Sequence, residues 1–385
     1  MLHRRTVWSA GFWAIVVLGG WLIGLGGERK PDVHYVPTPP DVVAEMLKTA
    51  NVGKDDIVYD MGCGDGRIVI AAVEKFGAKK GVGIDIDAAR IKECHENARK
   101  ANVADRVTFL EQDLYETDFS EATVLTLYLL PQLNVRLRPA IFRQLRPGDR
   151  IVSHAFDMAE WQADKTIKMP CADDNNDEEP TAYYWVLPAA AAGTWQWTLP
   201  GSKGEQAYQL RLRQRFQAVS GTVKAGDQQL PVADATITGD RLTFSIVRDV
   251  QGEKSRMSFS GRLIGNTLSG SVESQGGPAP GKRDWTANRD RVNLVGVWRW
   301  TEGEKPAALR IRRQDGRFYA TLATDEPTRQ TPVAQFYAWG AGIYFIREAG
   351  ARQTYEGIVE GDRIVGAVNS AGGTAQDWTA QRAAK

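Results

Sequence analysis

Residues 58–67 read VYDMGCGDGR and place an acid directly ahead of three alternating glycines. Asp60, Gly62, Gly64 and Gly66 follow a short apolar run that predicts a strand, and they precede RIVIAAVEKF, which predicts a helix. Glycines allow a sharp bend and a close approach of the backbone to a ligand, and the first turn of a helix offers free N–H donors. The spacing therefore predicts a nucleotide-type binding loop at the tip of a strand.

The loop departs from the dinucleotide-binding pattern. A G-x-G-x-x-G fingerprint would put its third glycine at position 67, where this chain has Arg67. An acid at the strand end, Asp60, would repel a pyrophosphate, whereas it suits a ligand that carries an ammonium group. A nicotinamide dehydrogenase is therefore the less favoured interpretation.

Predicted strands and helices alternate along residues 41–156, which is typical of a parallel sheet covered on both faces. Helices are predicted at 41–50, 67–76, 87–101 and 132–145, and strands at 56–61, 81–86, 106–111, 123–130 and 150–156. A closing β pair is predicted at 166–170 and 182–188. Ligands of such sheets bind at the C-terminal ends of the strands, where two further acids, Asp85 and Asp113, are found.

The motifs DMGCGDGR, GVGIDI and LEQDLY together resemble those of the seven-strand (class I) S-adenosylmethionine-dependent methyltransferases. The resemblance implies a Rossmann-like, doubly wound and mostly parallel seven-stranded sheet that binds S-adenosyl-L-methionine. It implies that Asp60 faces the methionine end of the cofactor and that Asp85 takes the ribose hydroxyls. It also implies that Asp113 accepts from the adenine amino group. The residues predicted to bind the cofactor are Tyr35, Asp60, Gly62, Cys63, Gly64, Gly66, Asp85, Gln112 and Asp113.

Four longer segments narrow the resemblance, namely YVPTPPDVVAEML, DMGCGDGRIVIAA, LYLLP and SHAFDMAEW. Over residues 35–188 the chain is similar to the mitochondrial lysine methyltransferases that modify the ATP synthase c-subunit and the adenine nucleotide translocase. The similarity implies methyl transfer to a protein lysine near a membrane. Two alternatives stay open: a small-molecule methyltransferase, and a membrane-tethered cofactor-binding or partner-binding protein without turnover.

The acceptor side of the site is predicted from the ends of the fourth and fifth strands. Tyr128 is predicted to contact the acceptor amine, or else to pack beneath the loop, and His154 or Asp157 to accept a proton. The fourth strand ends in YLLP and lacks the Asn-Pro-Pro-Tyr or Asp-Pro-Pro-Tyr tetrad that would indicate methylation of a base amine. With 48 basic and 47 acidic residues, no nucleic-acid partner is predicted, and no cluster of ligands predicts a metal site.

Residues 6–27 contain no charged side chain and are rich in Trp, Leu, Ile and Val. A helix of about 20 such residues spans the hydrocarbon layer of a membrane. Residues 1–30 are therefore predicted to be a single-pass N-terminal anchor, with a cleaved signal peptide as the alternative. The catalytic domain is expected to be cytoplasmic because S-adenosylmethionine is kept in the cytosol, and a periplasmic or secreted location is the alternative.

The composition changes near residue 189, where short alternating strands separated by glycine turns replace the helices. GTWQW at 193–197 recurs as GVWRW at 296–300, and DWTANR at 284–289 recurs as DWTAQR at 377–382. This duplication predicts two antiparallel β-barrel or sandwich repeats of unknown partner. The predicted domains are the anchor at 1–30, the methyltransferase domain at 31–188, and the repeats at 189–291 and 292–385.

Overall fold

The computed structural model describes residues 34–169, 179–201, 204–250, 252–276, 280–324, 330–348, 350–370 and 373–384. The N-terminal part of the described chain is an α/β domain. Its helices are α1 (Pro40–Thr49), α2 (Arg67–Glu74), α3 (Ala88–Lys100) and α4 (Pro131–Gln144). Its strands are β1 (Ile57–Met61), β2 (Lys80–Asp85), β3 (Val107–Glu111), β4 (Val124–Leu127), β5 (Arg150–His154), β6 (Lys165–Lys168) and β7 (Thr181–Val186).

These strands form one sheet in the order β3-β2-β1-β4-β5-β7-β6 among the described residues. Strands β1 to β5 pair in parallel, and β7 runs antiparallel to both β5 and β6. The chain order reverses between β1 and β4, which is where open α/β sheets place their ligands. The C-terminal ends of β1, β2 and β4 therefore frame the site.

The two faces of this sheet are covered differently. On one face, alternate strand residues such as Val58 and Val152 pack with buried side chains of α1, α2 and α3. On the other face, Leu125 and Ile151 pack with α4 and with aromatic side chains from the C-terminal part of the chain. The central strands are thus buried on both faces, which explains their nearly continuous apolar sequence.

The C-terminal part consists of two β units, each with one antiparallel sheet of nine strands in the described chain. The first β unit contains β8 (Gly193–Gly201), β9 (Gly204–Arg215), β10 (Ala218–Ala225), β11 (Gln228–Pro231), β12 (Ala233–Thr238), β13 (Arg241–Val250), β14 (Glu253–Ile264), β15 (Thr267–Gln275) and β16 (Gly281–Arg289). The second β unit contains β17 (Gly296–Glu302), β18 (Lys305–Gln314), β19 (Arg317–Thr324), β20 (Thr331–Pro332), β21 (Phe336–Trp339), β22 (Gly342–Arg347), β23 (Gln353–Glu360), β24 (Arg363–Ser370) and β25 (Gln376–Arg382).

Both units have the same strand order, β11-β10-β9-β8-β16-β15-β14-β13-β12 and β20-β19-β18-β17-β25-β24-β23-β22-β21. The repeated tryptophans occupy equivalent places, since Trp195 and Trp298 are fully buried in the cores of their respective units. Each ring is covered by an equivalent cation, Arg289 at 4.6 Å from Trp195 and Arg382 at 4.0 Å from Trp298. The sequence repeat is therefore a repeat of structure.

The predicted fold class was wrong as a whole, although it included the seven-stranded sheet. Residues 6–27, the predicted transmembrane helix, lie outside the described residues, and none of the described helices has the length and apolar content needed to span a membrane. The longest described helix, α4, has 14 residues, whereas a span needs about 20. The C-terminal part forms two large sheets rather than small barrels or sandwiches, because the nine strands of each unit pair one after another in a single ladder.

Candidate active site

A cavity of about 580 Å³ opens at the C-terminal ends of the parallel strands. This volume lies in the range of small-molecule sites. Eight of the residues predicted from the sequence line it: Tyr35, Asp60, Gly62, Cys63, Asp85, Gln112, Asp113 and Tyr128. Gly64 and Gly66 shape the loop beneath it, whereas His154 and Asp157 are not among the residues that line it.

The glycine loop joins β1 to α2, and its three glycines have positive φ angles of 82°, 54° and 80°. This left-handed backbone is unfavourable for residues with a Cβ. Gly64 has a second constraint, because a Cβ there would overlap the ring of Tyr35, which lies directly over the loop. Of the three glycines, Gly62 thus presents its backbone to the cavity, whereas Gly64 lets the Tyr35 ring pack directly on the loop.

Asp60 is the penultimate residue of β1, just ahead of the loop, and is only 2 % exposed. The hydroxyl of Thr126 on the adjacent strand donates a 2.7 Å hydrogen bond to Asp60 Oδ1. Burial raises the pKa of Asp60 to about 7, and the nearby carboxylates of Asp85 and Asp65 act in the same direction. A cation bound in the cavity would favour the ionised form, so this carboxyl responds to the charge of its ligand.

Asp85 ends β2 on the neighbouring side of the cavity. Its carboxylate accepts hydrogen bonds from the backbone N–H of Gly64 (2.9 Å) and of Asp87 (3.0 Å). These bonds fix its orientation and leave acceptor sites for ligand hydroxyls. Gln112 is joined to the same strand end, since its N–H donates to the Asp85 carbonyl at 3.0 Å, and Asp113 follows it into the cavity wall.

The segment 34–39 crosses the loop and is held by Arg67, whose binding role the sequence did not reveal. The Arg67 guanidinium donates to the carbonyl of Thr38 (2.8 Å) and pairs with Asp65 (2.7 Å). This pairing lowers the pKa of the Asp65 carboxyl against the opposing effect of its burial. Arg67, the residue that departs from the dinucleotide fingerprint, therefore holds the segment that carries Tyr35. The motif G-D-G-R is the sequence pattern from which this contact could have been suspected.

Two buried thiols lie behind the loop. Cys63 Sγ and Cys94 Sγ are 3.8 Å apart, and Cys94 Sγ donates to the Gly64 carbonyl at 3.0 Å. The hydrogen bond with Cys94 and burial raise the pKa of the Cys63 thiol. The Cys63 thiol thus stays protonated, and both side chains support the loop by packing and hydrogen bonding.

An aromatic group closes the opposite end of the cavity. The Tyr128 ring lies 4.1 Å from the His154 ring and 6.2 Å from the Phe156 ring, and Tyr128 and Phe156 are nearly parallel, at 17°. Both Tyr128 and Phe156 line the cavity. Sequence reasoning missed Phe156, because it depends on the left-handed backbone of Ala155 (φ 61°) immediately after β5.

The structure places the two predicted proton acceptors differently. His154 lies behind Tyr128, with Nδ1 3.3 Å from the hydroxyl of Thr38, and burial lowers the pKa of this histidine to about 4. Asp157 is exposed, and its Oδ1 accepts from the N–H of Ala159 at 3.0 Å. His154 is therefore uncharged at neutral pH, and Asp157 stabilises a turn.

S-adenosylmethionine fits this set of donors and acceptors. The cavity offers the buried acid Asp60 for a cationic group and the oriented acid Asp85 for ribose hydroxyls. The backbone of Gly62 lies in the same cavity and leaves space for the part of the cofactor between these groups. Fold and site together define the class, an S-adenosylmethionine-dependent methyltransferase.

Sequence comparison then identifies the family. The family described as the ANTKMT methyltransferase domain matches residues 60–165. A protein-lysine N-methyltransferase of Saccharolobus islandicus is 44 % identical over 157 residues, which are 41 % of this chain and 95 % of that relative. The chain therefore belongs to this methyltransferase family.

Two further matches cover the same part of the chain. The lysine N-methyltransferase of the ATP synthase c-subunit from Xenopus laevis is 29 % identical over 165 residues, which are 40 % of this chain and 71 % of that relative. A solved structure described as an RNA methyltransferase from Salinibacter ruber, in complex with S-adenosyl-L-homocysteine, is 50 % identical. The match covers 39 % of this chain and 93 % of that one, with a TM-score of 0.36.

Proposed function

We propose that this protein transfers a methyl group from S-adenosylmethionine to the side-chain amine of a lysine in a protein. The Saccharolobus and Xenopus relatives are both lysine N-methyltransferases, and the first of them is covered over nearly its whole length. The observation that carries the proposal is the aromatic end of the cavity, formed by Tyr128 and Phe156.

An aromatic pair suits a lysine side chain for two reasons. The ring faces pack against the aliphatic stem, and their negative quadrupole attracts an ammonium group or a methylated amine. Leu129 and Leu133 extend the apolar lining beside the rings. Because a lysine amine must lose its proton before it can act as a nucleophile, an apolar cavity also helps by lowering the pKa of the amine.

His154 supports this end of the cavity by remaining uncharged. A protonated histidine behind Tyr128 would repel both a cationic amine and the sulfonium of the cofactor, whereas burial holds the His154 pKa near 4. We therefore assign His154 to positioning Tyr128 and propose direct contact with the acceptor for Tyr128. Proton transfer to Asp157 stays a prediction, as does a cytoplasmic location, and action beside a membrane is not part of the proposal.

The test uses the purified full chain and S-adenosylmethionine with a deuterated methyl group. A cell extract is incubated with both, and its protein, RNA and small-molecule fractions are analysed by mass spectrometry. Deuterated methyl-lysine in a protein is the expected result, and Tyr128→Ala should remove it while leaving the affinity for S-adenosylhomocysteine within about threefold.

Other outcomes separate the alternatives. Label in RNA or in a small molecule would overturn the lysine acceptor and keep the methyltransferase. Absence of label in every fraction, together with tight binding of S-adenosylhomocysteine, would favour a binding protein without turnover.

A further inference from the structure

Arg138, in the middle of α4, joins the methyltransferase domain to the second β unit. Its side chain has no exposed surface. Nε donates to the hydroxyl oxygen of Tyr337 (2.7 Å), and Nη2 donates to Gln335 Oε1 (3.1 Å). Nη1 donates to the Met158 carbonyl (2.7 Å) and to Glu160 Oε2 (3.0 Å). One buried guanidinium thus ties helix α4 to the segment after β5 and to the second β unit.

The same helix turn makes two more connections. The amide of Gln335 donates to the Val135 carbonyl on α4 at 2.8 Å, so this residue holds both the helix backbone and its arginine. Asn134, fully buried on α4, donates from Nδ2 to the carbonyls of Phe156 (3.3 Å) and Asp157 (3.2 Å). The chain of contacts therefore runs from the second β unit through α4 to the backbone that carries the aromatic end of the cavity.

The packing around these hydrogen bonds is also shared between domains. Phe142 of α4 lies 5.4 Å from the ring of Tyr337 and 4.6 Å from that of Trp161. Phe216, at the turn between β9 and β10, completes the cluster at 6.0 Å from Trp161, with a left-handed φ of 54°. Such a backbone is strained for a phenylalanine and indicates that the surrounding contacts hold it in place.

We propose that the second β unit positions the acceptor end of the active site, with Gln335 and Tyr337 acting through Arg138 on helix α4 and on residues 154–160. The helix contributes Leu133 and Arg136 to the cavity lining, and the segment contributes Phe156. The glycine loop joins β1 to α2 and Asp85 ends β2, so neither belongs to α4 or to residues 154–160. The β unit therefore acts on methyl transfer and leaves cofactor binding unchanged, whichever acceptor is methylated.

The test compares two tyrosines of the second β unit. Tyr337 and Tyr355 are 2 % and 1 % exposed, and each hydroxyl is hydrogen-bonded. The Tyr355 hydroxyl donates to Glu302 and Gln353, both in its own unit. Tyr337→Phe should lower kcat for methyl transfer at least fivefold, and Gln335→Met more strongly, with the Kd for S-adenosylhomocysteine within about twofold of wild type. Tyr355→Phe should leave kcat and this Kd unchanged.

Hydrogen–deuterium exchange gives a readout that needs no acceptor. Amides of 131–138 and 154–160 should exchange faster in Tyr337→Phe and Gln335→Met, while amides of 60–67 keep the wild-type rate. Three results would overturn the proposal and assign the unit a stabilising role alone. The first is an equal effect of Tyr337→Phe and Tyr355→Phe, and the second is unchanged exchange and kcat in both Tyr337→Phe and Gln335→Met. The third is a loss of S-adenosylhomocysteine affinity that parallels the loss of kcat. A failed lysine assignment would leave the exchange result intact.

Discussion

Proton linkage at Asp60 gives the sharpest prediction about the cofactor site. This carboxyl is 2 % exposed, its pKa is raised to about 7 by burial, and Thr126 is the hydrogen-bond donor that opposes the rise. A ligand with a cationic group at this position requires the ionised form, so binding must release a proton below pH 7. Affinity for S-adenosylmethionine should therefore increase with pH.

The magnitude follows from the fraction of Asp60 that is ionised before binding. With a pKa of about 7, that fraction is about 0.1 at pH 6 and about 0.9 at pH 8. The association constant should thus rise about tenfold between pH 6 and pH 8, equivalent to about 1.4 kcal/mol. Asp60→Asn should bind with the same weak affinity at both pH values, and its deficit against wild type should appear mainly at pH 8.

Isothermal titration calorimetry at pH 6, 7 and 8, in two buffers of different ionisation enthalpy, measures both the affinity and the protons released. Thr126→Val removes the hydrogen bond that lowers the Asp60 pKa, so it should move the midpoint of the pH profile upward. A wild-type affinity that does not depend on pH, or a tenfold slope that persists in Asp60→Asn, would refute the linkage.

The same shift has a consequence for stability with a defined sign. The folded-state pKa of Asp60 lies above its unfolded value, so its contribution to stability is fully present below about pH 4 and is lost as pH rises through about 7. The loss is on the order of 4 kcal/mol at its upper limit. The ligand-free Asp60→Asn variant should therefore melt at a higher temperature than wild type at pH 8, as checked by differential scanning calorimetry.

Three further variants test other parts of the site. Gly64→Ala would drive a methyl group into the ring of Tyr35 and should weaken S-adenosylhomocysteine binding at least tenfold in a titration, whereas Gly77→Ala, at a similar φ of 71° with nothing within 4 Å, should cost stability alone. Phe156→Leu keeps the apolar volume and removes the ring, so the acceptor KM should rise about fivefold at unchanged cofactor affinity. Glu160→Gln leaves the buried guanidinium of Arg138 without its carboxylate partner and should lower the melting temperature at pH 7. The pKa of Glu160 is lowered to about 2. The difference in melting temperature from wild type should therefore shrink as the pH falls from about 4 toward 2.

The sequence was informative where local patterns control the structure. The predicted helices at 41–50, 67–76, 87–101 and 132–145 each begin or end within two residues of α1 to α4, because apolar periodicity and caps are local signals. Asp85 could be placed at a strand end because it closes an apolar run. The tail repeat predicted two equal units, yet turn signals alone do not say how many strands join one ladder.

The acceptor side was less accessible because it depends on departures from regular structure. The strand predicted at 150–156 ends at His154, and the left-handed Ala155 then redirects the chain so that Phe156 reaches the cavity. No residue type near this position requires that turn. Likewise, the partner of Arg138 is not local, because Gln335 lies 197 positions away, beyond the range of any sequence pattern.

The buried arginine also explains how the catalytic domain and the tail depend on each other. The Saccharolobus relative is matched over 95 % of its length by 41 % of this chain, so that protein has little room for two β units of this size. Here the face of α4 that would otherwise meet solvent carries Phe142 and Arg138, both packed against aromatic rings of the second β unit. Ending the chain after residue 188 would expose this apolar face and remove Gln335 and Tyr337 as hydrogen-bond acceptors. The Arg138 guanidinium, which has four partners here, would keep only Glu160 and the Met158 carbonyl. Because such a face is a liability without its cover, we expect the catalytic domain of this chain to be less stable without its tail.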